Sequence, residues 1–511
     1  MSRLMERVDL FVAGAVCLLG ARVLYLFGSY ILGVGGTERF RVESWALIFV
    51  MLGLVLRLAR SRRTQTGPRQ PGRLPAWTWL VYCGLAFALY RPALAVGLLS
   101  DDYILVAHAA QWRIGPVTEA LFRPIPLSVW ALVLNAGAGA PTLHLLNILL
   151  HGTNAYLTAR VASGFETGYS WSVGSGLLML TAPLAAEAVV WLSGVFDLAS
   201  TALVLLSILV SRKYDHGPSA ATRVQLVALG LAALASKETA VVAGGLVLVD
   251  GWARRALSQK LWIDCGVLLT IAGAFGLVRL AGTFGASTPP LGRYIAQRAL
   301  FGSFGALAVP WHIDVIEQLP WLPIAGVAAI VALTTAFFVD TAASLERTRF
   351  ALASGVWTLL PVVPIFPILY VAPDLQQARY LYMAGFAWAV FLGVAASDRQ
   401  NRVFSVVTLG GLIAIGAYGT LLHQRPWRAA ADVRDRVEAA ARGSEMDACR
   451  NVSVSNLPDS VDGAYVFRNG AVEAFARDLQ LEVRVVEGGV QGACSFRWDE
   501  GRLSFVRSAG E

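Results

Sequence analysis

Hydrophobic positions along this chain come in long blocks rather than in alternation. About 13 apolar stretches, near 9–32, 43–59, 76–98, 142–162, 171–191, 195–211, 224–236, 238–252, 261–281, 320–339, 350–371, 379–396 and 403–422, predict membrane-spanning helices. The pair 224–236 and 238–252 reads as a hairpin of two short helices meeting at Ser236-Lys237-Glu238, with one long helix as the alternative. The hairpin keeps the basic loop 254–260 on the same side as the other basic loops. After 423 the pattern changes. A charged helix is predicted over 427–442, a strand at 452–454, a helix over 466–478, and strands at 481–486, 495–498 and 503–506. The fold class expected is an all-α polytopic membrane protein with a small C-terminal α/β domain.

Composition excludes a soluble chain. Of 511 residues 56% are hydrophobic and 15% charged, where a soluble domain carries about a quarter charged. Mean hydropathy is +0.58. The net charge of +8 does not mark a nucleic-acid partner, because the only lysines are Lys213, Lys237 and Lys260 and most arginines lie in short loops. That is the positive-inside pattern. Loop 57–75, with Arg57, Arg60, Arg62, Arg63, Arg69 and Arg73, is expected in the cytoplasm, as are Arg212, Lys213, Arg254, Arg255 and Lys260. Segments 99–141, 185–197, 282–319 and 372–378 and the tail then fall outside. The first apolar block is long and has no small-residue cleavage site, so it reads as a signal anchor held by Arg3 and Arg7. Three domains follow: 1–75, an N-terminal helical hairpin with its basic loop; 76–422, the transmembrane core; and 423–511, the extracytoplasmic α/β domain.

Candidate chemistry gathers toward the external ends of the blocks. Asp101 and Asp102, in Ser100-Asp101-Asp102-Tyr103, directly follow a span. Adjacent carboxylates repel and are costly to desolvate near a bilayer. They could take a proton from an acceptor hydroxyl, ligate a metal, or cap a helix beginning at Tyr103. Arg123, in Phe122-Arg123-Pro124, could hold a phosphate oxygen. His144, Asn147 and His151 share one helix face, which points inward or into a wet cavity. Glu187 and Asp197 flank a turn, Lys237-Glu238 sits at the hairpin tip, and Arg379-Tyr380-Leu381-Tyr382 opens a span. Cys17, Cys83 and Cys265 lie in apolar blocks; Cys449 and Cys494 fall in the tail, where an even pair points to a disulfide.

Taken in order, these segments resemble a known family. Phe122-Arg123-Pro124, the run from His144 to His151, Glu187-Ala188-Val189-Val190-Trp191-Leu192-Ser193-Gly194 with Asp197, Ala235-Ser236-Lys237-Glu238-Thr239-Ala240 and Arg379-Tyr380-Leu381-Tyr382 are similar to the TMTC-type O-mannosyltransferases of the GT-C superfamily. The resemblance runs from about 98 to 396 in a family whose fold has many membrane spans. It implies a polyprenyl-phosphate sugar donor, an acidic residue in the first external loop (Asp101 or Asp102 here), and bases around the donor phosphate: Arg123, Lys237 and Arg379. Glu187, Asp197, His144, His151, Tyr380 and Tyr382 would line the acceptor or sugar pocket.

The chain departs from that family in lacking the tetratricopeptide array and in having Leu184-Ala185-Ala186 where a histidine often stands. Asp101, Asp102 and Glu187 would suit Mg²⁺ or Mn²⁺, although metal-free transfer serves equally. The expected partners are the donor, membrane lipid and an acceptor lipid, glycan or protein, in a bacterial inner (plasma) membrane. A lipid-linked sugar flippase or transporter, or a non-catalytic scaffold, is the alternative.

Overall fold

The computed structural model describes residues 74–114, 123–165, 169–283, 305–307, 309–339, 345–397, 402–449, 452–479, 483–484 and 494–507. The hairpin expected at 9–32 and 43–59 lies outside them. The described chain is mostly helical, with strands only in the tail.

Four helical stretches among the described residues are long and apolar enough to cross a membrane: Leu192–His216, Gln259–Leu277, Ala378–Ala395 and Val403–Arg442. The apolar blocks predict more. Several of them prove interrupted or polar. Thr78–Tyr90 passes into a 3-10 turn at Arg91–Ala95, and Ala140–Ala162 carries two histidines, two asparagines and an arginine. This last helix is the axis of the bundle, and His144, Asn147, His151 and Asn154 on it are fully buried. It packs tightly against Thr78–Tyr90 because Gly152 has no side chain; a β-carbon there would come within 2.8 Å of the Cys83 backbone. Small residues allow such close approach where helices meet.

The break expected between 224–236 and 238–252 is present. Helix Ala220–Leu234 ends, Lys237 takes an extended conformation, and a 3-10 turn at Glu238–Val242 leads into helix Ala243–Ala253. The described residues within 99–141 include helices Asp102–Ala110 and Pro124–Asn135. Segment 185–197 likewise forms helix Ala185–Val190 and a 3-10 turn at Leu192–Gly194.

The tail begins with helix Arg425–Arg442 and continues as β1 (Val452–Ser455), β2 (Ser460–Val461), β3 (Ala464–Tyr465), helix Ala471–Leu479, β4 (Val483–Arg484), β5 (Cys494–Asp499) and β6 (Ser504–Arg507). One sheet has the order β4-β1-β5-β6, with β1 parallel to both β4 and β5, and β6 antiparallel. Strands β2 and β3 pair separately as a hairpin over Asp462-Gly463, both at positive φ (46° and 83°), the conformation of a two-residue primed turn. The helix expected over 466–478 starts only at Ala471. Gly470, at φ +75°, follows Asn469 and turns the chain before it. Cys449 and Cys494 are joined by a disulfide with Cα atoms 6.0 Å apart.

Candidate functional site

The broken helix delivers Lys237 into the core. Its side chain is 1% exposed and forms an ion pair with Asp197, in the first turn of helix Val195–Ser211. Sequence adjacency points to Glu238 as the partner of Lys237; the extended backbone at Lys237 sends the two side chains elsewhere. Glu238 instead receives both Arg123 hydrogen bonds, at 2.9 and 3.1 Å. Arg123 also lies over the Phe196 ring, 4.6 Å from its centroid.

Arg379 completes the group. Its guanidinium covers the Trp191 ring at 4.3 Å and faces Tyr380 at 5.3 Å. Its backbone N–H donates to Glu187 at 3.1 Å, and its Nε lies 3.5 Å from the same carboxylate. Lys237 meets the Tyr380 ring at 5.2 Å, and the charges of Arg379 and Arg123 both reach Lys237. Arg123, Lys237 and Arg379, from three distant segments, thus meet in one cluster with Glu238, Asp197 and Glu187. The three basic and three acidic side chains offset one another, which lowers the cost of burying them together. Arg123 Nε, Arg379 Nε and Asp197 Oδ2 are buried there without a hydrogen bond among the described residues.

The two aspartates separate. Asp102 is 1% exposed; its Oδ1 accepts from the Ser193 amide (2.9 Å) and hydroxyl (2.6 Å), and its Oδ2 from the Leu99 amide (3.1 Å). Burial raises its carboxyl to about 7, against the pull of those donors. It ties the first turn of its helix to the Leu192–Gly194 turn. Asp101 stands at the N-cap position, yet its side chain does not cap the helix. It is half-buried, and Oδ1 accepts from Asn469 at 2.6 Å.

The chain before Asp101 is held from several sides. Arg434 donates to the Val96 and Leu98 carbonyls (2.6 and 2.9 Å), Trp191 Nε1 to Leu99 (3.2 Å), and His144 Nε2 lies 3.0 Å from the Gly97 carbonyl. Ser100 takes φ 51°, where non-glycine residues are strained.

The metal set expected from Asp101, Asp102 and Glu187 does not assemble. Both Asp102 oxygens are taken by amides and a hydroxyl, Glu187 faces Arg379 and Tyr465, and Asp101 faces Asn469. Among the described residues no three acidic, histidine or cysteine side chains are grouped to hold an ion.

His151 and Tyr382 belong to a bracing network rather than to the charged cluster. The Leu180 carbonyl can only accept, so His151 Nε2 carries the proton (3.0 Å); Nδ1 then accepts from the Tyr382 hydroxyl (2.7 Å), which accepts in turn from Asn154 (3.1 Å). Asn147 donates to the Val189, Trp191 and Leu192 carbonyls. Of the expected pocket residues, Tyr380, Glu187 and Asp197 lie in the cluster, while His144, His151 and Tyr382 hold helices together.

With this geometry in view, the chain can be set beside known proteins. It is similar to Protein O-mannosyl-transferase Tmtc1 of Drosophila melanogaster. The match is 30% identical over 178 residues, covering 31% of this chain, and the chain spans 21% of that relative's length. No protein-family model matches. The similarity supports a distant relationship to a glycosyltransferase.

Three further contributors escaped the reading of the sequence. Ser193 holds Asp102, Tyr465 donates to Glu187 at 3.4 Å, and Asn469 holds Asp101. Asp462-Gly463 and Asn469-Gly470 are turn-forming pairs; they were the available signal for the turns that bring Tyr465 and Asn469 to the site.

Two clefts adjoin the cluster. One, with a cavity volume of about 90 Å³, is mainly apolar and is lined by Met179, Leu307, Trp311, Leu381, Tyr382 and Trp388 among others. The other, about 20 Å³, is lined by Glu187, His312, Asp374, His423, Asp462 and Gly463 among others.

Proposed function

We propose that the protein is a membrane glycosyltransferase that moves a sugar from a polyprenyl-phosphate donor to an acceptor hydroxyl at the outer face of the membrane. The observation that carries this reading is the meeting of Arg123, Lys237 and Arg379 in one buried cluster whose Trp191 also holds the turn bearing Asp101. Guanidinium forks and an ammonium suit a phosphate, and donors set in a water-poor site act strongly on charge that develops there. The apolar cleft begins at Leu381, next to Tyr380, and would suit a prenyl chain.

The step is a single displacement. The acceptor oxygen attacks the anomeric carbon, forming the new glycosidic bond. The bond from that carbon to the phosphate oxygen breaks, and its electron pair leaves with polyprenyl phosphate. Asp101 takes the acceptor's proton. Arg123, Lys237 and Arg379 stabilise the phosphate, which competes with Glu238, Asp197 and Glu187 for their donors. Inversion at the anomeric carbon follows.

The membrane side rests on one helix. Asp197 sits in the first turn of Val195–Ser211, and Arg212 caps its far end, paired with the fully buried Asp250. Fifteen residues of helix separate them by about 22 Å, so the charged cluster and the basic loops occupy opposite ends. Positive loops face the cytoplasm as a rule, which supports reading the cluster as external. The disulfide in the tail agrees with an oxidising compartment.

Vesicles containing the protein, given polyprenyl-phosphate [³H]mannose and its glucose and galactose counterparts, should move label into the lipid, glycan or protein fraction. Matched vesicles without the protein should not. The broken helix at Lys237 also suits a flippase. Label crossing the bilayer while still attached to the donor would favour that reading and contradict transfer.

A further inference from the structure

We propose that the C-terminal module is a working part of this site and that Asn469 is the positioning residue for Asp101. The inference rests on the reading of Asp101 as the base, and it assigns a role to a module that resembles nothing in the rest of the chain.

Among the module's contacts with the core, one short stretch meets Ser100 and Asp101 directly. The Ser100 amide donates to the Val466 carbonyl (2.8 Å), the Asn469 amide donates to the Ser100 hydroxyl (3.2 Å), and the Asn469 side chain donates to Asp101 Oδ1 (2.6 Å). Two residues of the core and two of the module are thereby locked in register. Tyr465 fills the space beside them: its ring lies 4.6 Å from Trp191 and 6.0 Å from Trp427, and its hydroxyl reaches Glu187. Arg468 spans outward to Gln376, two residues before Ala378-Arg379, at 3.0 Å.

The backbone is shaped for this approach. A β-carbon at Gly470 would come within 2.5 Å of the Ser100 carbonyl, and one at Gly463 within 2.5 Å of the Asp374 carbonyl. Both glycines have positive φ, which side chains rarely adopt. Ser100 itself sits at positive φ and is held there by Val466 and Asn469. A strained conformation persists where its surroundings over-determine it; here the surroundings include the module.

The chemistry follows from which oxygen is occupied. A carboxylate only accepts, so the Asn469 group facing Oδ1 is its NH₂. With Oδ1 fixed, the carboxylate plane is fixed, and Oδ2, which accepts no hydrogen bond among the described residues, is the oxygen presented to an acceptor hydroxyl. A base misplaced by about 1 Å can lose about a hundredfold in rate.

The test uses the full-length protein in vesicles with polyprenyl-phosphate [³H]mannose and the vesicles' own acceptors. Asn469→Ala should lower kcat by about tenfold to a hundredfold and leave the donor KM within about twofold, the split expected when a base is misplaced and donor binding is untouched. Gly470→Ala, which displaces the turn and leaves the amide intact, should reproduce the lowered kcat with unchanged donor KM. Exposed Arg502→Ala, in the same module, should match wild type. Resistance of the module to protease separates misfolding from misplacement. Wild-type kcat in Asn469→Ala, or a raised donor KM with kcat unchanged, would overturn the positioning role alone. No transfer by the wild type would overturn the proposed function, and this role with it.

Discussion

Lys237 and Asp197 are paired where the two side chains are 1% and 7% exposed, across a gap of 40 positions in the sequence. A buried pair loses heavily when one member is removed, because the survivor's charge has no counterpart. Lys237→Met and Asp197→Leu should each cost about 3–5 kcal/mol, read as a lowered Tm of the detergent-solubilised protein. The double variant removes both charges and should recover most of that stability. Transfer should not recover, since the phosphate loses Lys237. A double variant with both stability and transfer at wild-type level would make the pair purely structural.

Asp102 should behave as a scaffold group with its own pH signature. Its folded-state pKa is about 7 because burial penalises the charged form, whereas the unfolded value is about 3.9. A raised acid favours folding fully below the unfolded value, and that contribution disappears as pH rises through about 7. The wild-type Tm should therefore fall between about pH 4 and pH 7 more steeply than that of Asp102→Asn. The variant should also start lower, since an amide cannot accept from both Ser193 and Leu99. Parallel Tm curves would remove the titration from Asp102.

The Cys449–Cys494 bond closes a sequence separation of 45 residues around most of the module. Replacing both with serine should destabilise the module by about 2–4 kcal/mol, seen as protease cleavage within 450–493 at lower urea than in the oxidised protein. Equal protection of both forms would mean that the bond adds nothing to a module already held by the core.

Much of the fold was legible because membrane helices need long apolar runs, and the helix break at Lys237 was legible because each half was too short to span. The grouping of Arg123, Lys237 and Arg379 was implied by the family resemblance and not by the residues taken singly, each of which reads equally as an interface anchor or a structural ion pair. Their partners were implied by neither. Glu238 is next to Lys237 in sequence but pairs with Arg123, since the extended backbone at Lys237 turns the two side chains apart. The division of labour between Asp101 and Asp102 was hidden too, because only packing decides which neighbour meets Ser193. The contribution of the tail was missed because a helix read over 466–478 overran the Asn469-Gly470 turn. Arg434, on a helix that reads as a charged surface element, is 8% exposed and grips the loop before Asp101.

In the proposed mechanism Asp101 takes the acceptor's proton. Purified wild type and Asp101→Asn should be compared in vesicles for transfer from polyprenyl-phosphate [³H]mannose, with Tm measured on the same preparations. Loss of a general base costs about 100- to 10,000-fold in rate, while a half-buried hydrogen bond to Asn469 contributes only about 1 kcal/mol to stability. The account predicts a fall in turnover of that size with Tm nearly unchanged. Wild-type turnover in Asp101→Asn would contradict it.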